Sequence, residues 1–222
     1  YGVSSSCGSS NVMEFLGIKF TNDESFLKKS VEKAGICILH APLFHPAMKN
    51  VAPIRREMGV KTFFNMLGPM VNPSFPKNQM VGVFNLELLR LYGYLYQNTP
   101  INYTIIHALD GYDEVSLTGR SKIIQNQSES IVYPEDFGVK QIQKEAIYGG
   151  DSVESSAKIF MDVISGNGTE AQNNVVCANG GLAIATVQQI NHKQGFEMAK
   201  ESLLSGKAKA SLDTLIELSR NH

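Results

Sequence analysis

Short apolar runs alternate with amphipathic stretches along most of this chain, and this alternation constrains the fold more than any other feature. The runs GICILHAP (Gly35 to Pro42), MVGVF (Met80 to Phe84) and YTIIHAL (Tyr103 to Leu109) are flanked by Gly, Pro, Asn or Asp. Such runs are typical of strands buried on both faces, as in a parallel sheet. The stretches between them have helical spacing, so the sequence predicts the α/β class, with a mostly parallel sheet flanked by helices.

Several helix boundaries can be read directly from the sequence. In DESFLKKSVEKAG, Asp23 is a predicted N-cap and Gly35 a predicted C-terminal stop. Thr169 is predicted to cap a long, largely buried helix, TEAQNNVVCANGGLAIATVQQI. The last amphipathic segment is interrupted at Ser205-Gly206, which predicts two surface helices. After Ser116 the pattern becomes that of strands and turns.

The segment HPAMKNVAPIRREMGVKTFFNMLGPMVNP, from His45 to Pro73, breaks this alternation. It is long for a crossover, predicted helical around Pro53 to Met58, and then punctuated by Gly, Pro and Asn. Such an insertion often leaves the sheet to line a cleft or to join a second domain.

Composition excludes several function classes. The net charge is −1, from 20 basic and 21 acidic residues, and no basic block occurs, so the electrostatic footprint of nucleic-acid binding is missing. No apolar run approaches the roughly 20 residues of a membrane span. The three cysteines form no C-x-x-C pair, which argues against a disulfide framework or zinc site and favours a reducing cytosol.

Two stretches could carry phosphate chemistry. The first, GVSSSCGSSN (Gly2 to Asn11), could surround an anion with N–H and hydroxyl groups at the start of a helix, although a plain capped loop explains it equally well. The second, DGYDEVSL, contains Asp113 and Glu114. Adjacent side chains point to opposite faces of a strand but can converge at a bend, where a water-rich Mg²⁺ would suit them. The alternative is a solvated acidic turn.

Further candidates are cationic. Arg55 and Arg56 lie roughly 100° apart on a predicted helix, so at most one can point into a cleft, where Arg binds a carboxylate bidentately. A solvated surface pair is the alternative. His107 lies in an apolar run and is predicted to be a core histidine, whereas for His40 either role is open. The common dinucleotide, P-loop, nucleophile-elbow and zinc-protease motifs are all missing from the sequence.

Taken together, these segments are more specific than any one of them. Over essentially its whole length the chain resembles the anthranilate phosphoribosyltransferase family, most strongly in HAPLFHPAMKNVAPIRREMGVKTFFNMLGPMVNP, NQMVGVF and DGYDEVSL. The family pattern K-H-G-N, followed by S-S-x-x-G-S/G, aligns its second half with VSSSCGS. The resemblance implies that Tyr1 lies inside a phosphate-binding motif, and that the family's G-T-G-G-D loop and most of a helical domain lie upstream. We therefore expect the chain as given to bind Mg-phosphate ligands weakly and to turn over poorly.

The resemblance also implies a reaction and its residues. The family transfers the phosphoribosyl group of phosphoribosyl pyrophosphate to anthranilate, in tryptophan biosynthesis, with Mg²⁺ as cofactor. Asp113 and Glu114 would bind Mg²⁺. Phosphoribosyl pyrophosphate would be bound by Tyr1, Gly2, Val3, Ser4, Ser5, Gly8 and Ser9. Anthranilate would be bound by Arg55 through its carboxylate and by Pro42, His45, Met48 and Gly68. No general base is assigned.

The family fold is the nucleoside phosphorylase/phosphoribosyltransferase type. The implied division is residues 1–44 and 72–222 for the α/β phosphoribosyl-binding domain, and 45–71 for an insertion joining the helical domain. A cytoplasmic homodimer that binds no nucleic acid or membrane is the implied full-length form. Two alternatives stay open at this point: a pyrimidine nucleoside phosphorylase-like enzyme, and a non-catalytic paralogue that binds nucleic acid.

Overall fold

A computed structural model describes residues 8–45 and 68–222 of the chain. The chain divides into two compact units. Unit 1 comprises residues 1–75, 151–157 and 209–222, and unit 2 comprises residues 76–150 and 158–208. Because residues 46–67 are not among those described, the predicted helix around Pro53 to Met58 lies outside the described residues. The predicted domain division stays a prediction.

The described residues form eight α-helices and four strands. The α-helices are α1 (Ser9–Phe15), α2 (Glu24–Ala34), α3 (Ala41–Phe44), α4 (Leu86–Tyr96), α5 (Val153–Ile164), α6 (Glu170–Gln188), α7 (His192–Leu204) and α8 (Lys207–Arg220). The strands are β1 (Asn78–Gly82), β2 (Asn102–Ala108), β3 (Ser121–Gln125) and β4 (Ser128–Val132). Short 3-10 helices cover Gly68–Val71, Pro134–Phe137 and Lys144–Ile147.

In unit 1, helix α2 begins and ends where the sequence predicts. The Asp23 carboxylate accepts the backbone N–H of Ser25 at 2.8 Å and that of Phe26 at 3.3 Å. Gly35 ends the helix with a φ of 72°, in the left-handed region that favours glycine. The Ser211 hydroxyl donates to the carbonyl of Ala34, which satisfies one of the carbonyls left over at the helix end.

In unit 2, four strands form one sheet in the order β1-β2-β3-β4. Strands β1 and β2 are parallel, with Gly82 opposite Ile106, while β2–β3 and β3–β4 are antiparallel. The α/β class is confirmed, but the described sheet is mixed instead of mostly parallel. The reason lies in the connections, because a parallel crossover needs about a dozen residues and usually a helix. The segment between β2 and β3 contains no helix, and a two-residue turn joins β3 to β4.

Helices α6 and α7 form the core of unit 2 with the sheet. Ile106, Val115 and Ile123 pack with Leu182 of α6 and Phe196 of α7, and all five are nearly inaccessible to solvent. The long helix predicted after Thr169 is confirmed, with Thr169 Oγ1 accepting the Gln172 N–H at 3.2 Å. It is buried along one side only, since Val176 and Val187 are exposed.

One predicted strand is wrong. Residues 36–40 of GICILHAP pair with no strand among the described residues, and α3 begins at Ala41. Pro42 stands in the first turn of α3, where its missing N–H costs nothing. The strands predicted around Met80 and Tyr103 are confirmed as β1 and β2.

Candidate functional site

The residues that connect β2 to β3, here called the acidic loop (residues 109–120), follow the carboxyl end of a parallel strand. The loop is closed at its base, because the Leu109 N–H donates to the Arg120 carbonyl at 2.8 Å. A tight turn follows, in which the Gly111 N–H donates to the carbonyl of Ala108 at 2.9 Å and Gly111 has a φ of 105°. In open α/β sheets, ligands bind outside the carboxyl ends of the strands, so this loop is the candidate site.

Asp113 and Glu114 stand side by side at the outer part of this loop, and both residues are exposed to solvent. The surrounding protein nevertheless removes enough water from the Glu114 carboxylate to raise its pKa, and the negative charge of Asp113 raises that pKa further. The two carboxylates are thus close enough to repel each other. A bound cation would relieve this repulsion.

Gly82, the last residue of β1, allows the acidic loop to cross very close to the sheet. A Cβ atom on Gly82 would lie 1.7 Å from the carbonyl oxygen of Asp113 and 2.8 Å from its carbonyl carbon. No side chain fits in that space. Gly82 therefore sets the height of Asp113 above the end of β1.

The base of the acidic loop is braced by Asp110. Its carboxylate accepts the hydroxyl of Ser116 at 3.3 Å and also the hydroxyl of Thr118. The amide of Gln141 in turn donates to the Thr118 carbonyl at 2.6 Å. Because the Asp110 oxygens are occupied by these donors, this third carboxylate of the loop braces the turn instead of joining Asp113 and Glu114.

Helix α6 holds the other side of the acidic loop through Asn179. Its Oδ1 accepts the Val115 N–H at 2.9 Å, and its Nδ2 donates to the Val115 carbonyl at 2.8 Å. The same Nδ2 donates to the carbonyl of Val175, one turn back along the helix, at 3.0 Å. The amide thereby joins a helix to both main-chain groups of the residue that follows Glu114.

The donor set can be compared with what Mg²⁺ requires. Across residues 8–45 and 68–222, no group of three or more His, Cys, Asp or Glu side chains is gathered so that it could hold a metal ion. Mg²⁺ does not need such a group, since it commonly keeps several waters and binds through one or two carboxylates plus substrate phosphates. The exposed pair Asp113 and Glu114 fits that requirement.

In unit 1 the structure describes two of the predicted phosphate-binding residues. Gly8 caps α1, and its backbone N–H donates to Asn11 Oδ1 at 3.0 Å. Ser9 follows as the first helical residue and is exposed. The Gly8 N–H is therefore engaged within the chain in this conformation, so a phosphate here would have to compete with the Asn11 amide.

Three predicted anthranilate-binding residues are also described in unit 1. Pro42 lies exposed in α3, and the half-buried His45 ends that helix, with its N–H donating to the Ala41 carbonyl at 3.1 Å. Gly68 is half-buried and begins a 3-10 helix. Pro42 thus lies within this short helix and His45 caps its C-terminal end. The other predicted binding residues lie outside the described residues: Tyr1, Gly2, Val3, Ser4, Ser5, Met48 and Arg55.

The two further histidines considered in the sequence analysis, His40 and His107, pack against other groups of the protein. His107 is buried in β2, with Nδ1 2.9 Å from the Val83 carbonyl oxygen, so the prediction of a core histidine is confirmed. His40 stacks on Phe20 with ring centroids 4.5 Å apart, and burial lowers its pKa. These contacts place His40 among the packed side chains of unit 1.

Reasoning from the sequence missed Gly82, Asp110 and Asn179. Asn179 was visible as a polar residue in the otherwise apolar run VVCANGG, which is a signal for a buried hydrogen-bonding role. Gly82 had no comparable signal, since its role depends on a loop that returns to β1 from about thirty residues further along the chain.

Comparison of the sequence with known proteins gives a consistent result. A profile described as "Glycosyl transferase family, a/b domain" matches residues 1–209. Anthranilate phosphoribosyltransferase of Flavobacterium psychrophilum is 68% identical over 219 residues, which are 99% of this chain and 66% of that relative. The protein of that name from Christiangramia forsetii is 64% identical, over 100% of this chain and 67% of the relative. The chain thus spans about two thirds of the curated relatives it matches, and just under two thirds of the Flavobacterium protein.

Solved structures agree in fold. Anthranilate phosphoribosyltransferase from Thermus thermophilus superimposes with a TM-score of 0.90 at 29% identity, over 99% of this chain and 66% of that one. The Saccharomyces cerevisiae enzyme in complex with PRPP (phosphoribosyl pyrophosphate) and Mg gives 0.86 at 26% identity, over 97% of this chain and 62% of that one. Another structure of the yeast enzyme contains 4-fluoroanthranilate.

Proposed function

Because this chain belongs to the glycosyl transferase family defined by that a/b domain, we propose that it is the phosphoribosyl-binding part of an anthranilate phosphoribosyltransferase. The whole protein would transfer the phosphoribosyl group of phosphoribosyl pyrophosphate to the amine of anthranilate, releasing pyrophosphate. This proposal depends above all on the position of the acidic loop. It presents two adjacent, mutually repelling carboxylates beyond the carboxyl ends of β1 and β2, where a metal-bound phosphate ligand is expected.

Asp113 and Glu114 would hold Mg²⁺ together with the pyrophosphate. When bound there, Mg²⁺ would neutralise the charge that gathers on the leaving pyrophosphate. The yeast relative has been solved with PRPP and Mg, which supports this assignment. The protein's own contribution is to hold the two carboxylates in place, through Gly82 beneath Asp113 and through the Asp110 brace.

The remaining substrate contacts are assigned by the family motifs. The phosphoribosyl pyrophosphate would lie on the Ser/Gly-rich start of the chain, which comprises Tyr1, Gly2, Val3, Ser4, Ser5, Gly8 and Ser9. Arg55 would bind the anthranilate carboxylate, since a guanidinium reads a carboxylate with two parallel hydrogen bonds. Pro42, His45, Met48 and Gly68 would shape the aromatic pocket. The yeast complex with 4-fluoroanthranilate supports a pocket for this class of ligand.

The chemistry requires positioning more than proton transfer. An aromatic amine is uncharged at neutral pH and already carries the lone pair that attacks the anomeric carbon. Holding that nitrogen in line with the departing pyrophosphate can supply a large part of the rate, as in other reactions of two bound reactants. We therefore assign no general base.

The cellular setting follows from the same proposal. The full-length protein would act in tryptophan biosynthesis, in the cytoplasm, as a homodimer, and it would bind neither nucleic acid nor membrane. In the part of the chain that the structure describes, no helix has both the length and the apolar character needed to cross a membrane.

The test is the loss of anthranilate fluorescence with time in the presence of phosphoribosyl pyrophosphate and Mg²⁺. It is run on this chain and on a form extended upstream through the predicted K-H-G-N and G-T-G-G-D motifs. The proposal predicts that the extended form consumes anthranilate. If the extended form leaves anthranilate untouched but cleaves a pyrimidine nucleoside in the presence of phosphate, the proposal is wrong and the phosphorylase alternative is correct.

A further inference from the structure

We propose that Asn179 is a positioning residue for the metal-binding carboxylates, an inference that rests on the proposed function of Asp113 and Glu114. Asn179 lies in the third turn of α6, a helix that is otherwise largely apolar at this level. Its side chain is half-buried and turned toward the acidic loop. It does not itself provide a carboxylate, so its effect would be exerted through the loop.

The hydrogen bonds of Asn179 fix the peptide planes next to Glu114. The Val115 N–H, which Asn179 Oδ1 accepts at 2.9 Å, belongs to the peptide bond between Glu114 and Val115. The Val115 carbonyl, to which Nδ2 donates at 2.8 Å, belongs to the next peptide bond. A side chain that holds both groups of one residue leaves little freedom for rotation at the backbone of its neighbour. Because that first peptide plane includes the Glu114 Cα, α6 thereby fixes the point at which the Glu114 side chain leaves the loop.

The anchor point is rigid on the helix side as well. The same Nδ2 donates to the Val175 carbonyl at 3.0 Å, so the amide cannot rotate without losing a second bond. The side chain of Val115 is only 2% exposed and packs in the core with Leu182. Glu114 therefore directly precedes an anchored residue, Val115. On the other side of Glu114, the loop is held by Gly82 and Asp110.

The hydrogen bonds of Asn179 would counteract the repulsion between the two carboxylates. Asp113 and Glu114 are adjacent carboxylates of like charge, so they would move apart if the backbone were free to move. An anchored loop keeps the carboxylates together before the cation arrives. The cation then binds without the loss of conformational freedom that ordering a mobile loop would require.

The experiment measures Mn²⁺ binding to this chain by the loss of the free-ion EPR signal, with Mn²⁺ as the probe for the Mg²⁺ site. Asn179→Ala removes the anchor and should weaken Mn²⁺ binding about 10-fold, the usual lower effect of losing a residue that orients metal ligands. Asn173→Ala is the matched control. Asn173 lies on the same helix and its side chain also donates to a backbone carbonyl, that of Gly168 at 3.1 Å, but it makes no hydrogen bond to the acidic loop. It should lower the melting temperature without changing the Mn²⁺ affinity.

Two further arms separate the possible failures. Asp113→Asn and Glu114→Gln should each weaken Mn²⁺ binding. If they do and Asn179→Ala binds Mn²⁺ like the wild type, the positioning role is wrong while the proposed metal site stands. If neither carboxylate variant changes the affinity, the metal site of the proposed function is wrong, and this inference falls with it. Equal weakening by Asn179→Ala and Asn173→Ala would show a loss of general stability and would also overturn the positioning role.

A milder variant covers the case in which Asn179→Ala does not fold. Asn179→Ser replaces the amide with a single, shorter hydroxyl, which cannot hold both main-chain groups of Val115. Its Mn²⁺ affinity should lie between those of the wild type and the carboxylate variants. In the extended enzyme, the same substitution should raise the Mg²⁺ concentration for half-maximal rate and leave the KM for anthranilate unchanged. A wild-type Mn²⁺ affinity in Asn179→Ser, with an unchanged Mg²⁺ dependence, would refute the inference.

Discussion

Gly82→Ala tests whether the height of the acidic loop above β1 matters for function. The new Cβ would lie 1.7 Å from the Asp113 carbonyl oxygen, whereas a close C···O contact needs about 3.3 Å. The carbonyl of Asp113 must therefore move by about 1.6 Å, or β1 must shift against β2. Because β1 is bonded to β2 along its whole length, we expect the loop to move instead.

The size of the effect follows from that displacement. Overpacking of this kind costs about 1–3 kcal/mol of stability, and each kcal/mol lowers the melting temperature of a chain this long by about 2–4 °C. A misplacement of about 1 Å at a reacting group can cost about 10²-fold in rate. Gly82→Ala should therefore reduce kcat in the extended enzyme far more than its modest loss of stability implies.

The assay is anthranilate consumption at saturating phosphoribosyl pyrophosphate and Mg²⁺, measured well below the melting temperature of the variant. Gly149→Ala is the control, since a Cβ atom at Gly149 would meet no atom within 4 Å. It should match the wild type in rate and melting temperature. A Gly82→Ala enzyme with wild-type kcat and Mn²⁺ affinity would refute the argument that this glycine positions Asp113.

Three other predictions concern packing, pH and substrate binding. Gly181→Ala should destabilise the chain by about 1–3 kcal/mol in urea unfolding, because its Cβ would lie 2.5 Å from the backbone nitrogen of Phe196. Gly180→Ala, whose Cβ would make an ordinary 3.5 Å contact, should be neutral or stabilising, and equal losses would contradict this packing. Burial lowers the pKa of His192 below its ordinary 6.5, so its protonation favours the unfolded state. The melting temperature should fall as the pH drops through 6.5, and it should fall less steeply in His192→Gln. Parallel curves of melting temperature against pH for the wild type and the variant would contradict this. Arg55→Ala should raise the KM for anthranilate strongly in steady-state assays of the extended enzyme, and an unchanged KM would remove Arg55 from the pocket.

Local signals predicted much of the fold. Asp23 and Gly35 bound α2, Thr169 caps α6, and the break at Ser205-Gly206 separates α7 from α8, all as the sequence indicates. These features depend on hydrogen bonds within one turn of the residue concerned, so the sequence contains the information that they need. The same holds for β1 and β2, whose apolar runs are short and well delimited.

Features that depend on distant residues were not predictable in this way. Residues 36–40 have the composition of a buried strand, but a strand also needs a partner, and composition does not specify one. The direction of β3 was missed because the connection after β2 forms the acidic loop instead of a crossover helix. At the site, Asp113 and Glu114 were candidates from the sequence itself, and the family resemblance assigned them to Mg²⁺. Gly82 and Asn179 were found only from their contacts with residues 31 and 64 positions away.

The most direct test of the proposed function is the amount of pyrophosphate released for each anthranilate consumed, with and without Mg²⁺. It is measured in the extended enzyme and in its Asp113→Asn variant. We predict one pyrophosphate per anthranilate, a strict requirement for Mg²⁺, and a much lower rate in the variant that more Mg²⁺ partly restores. Pyrophosphate release that does not depend on anthranilate, or a variant as fast as the wild type at every Mg²⁺ concentration, would contradict the account.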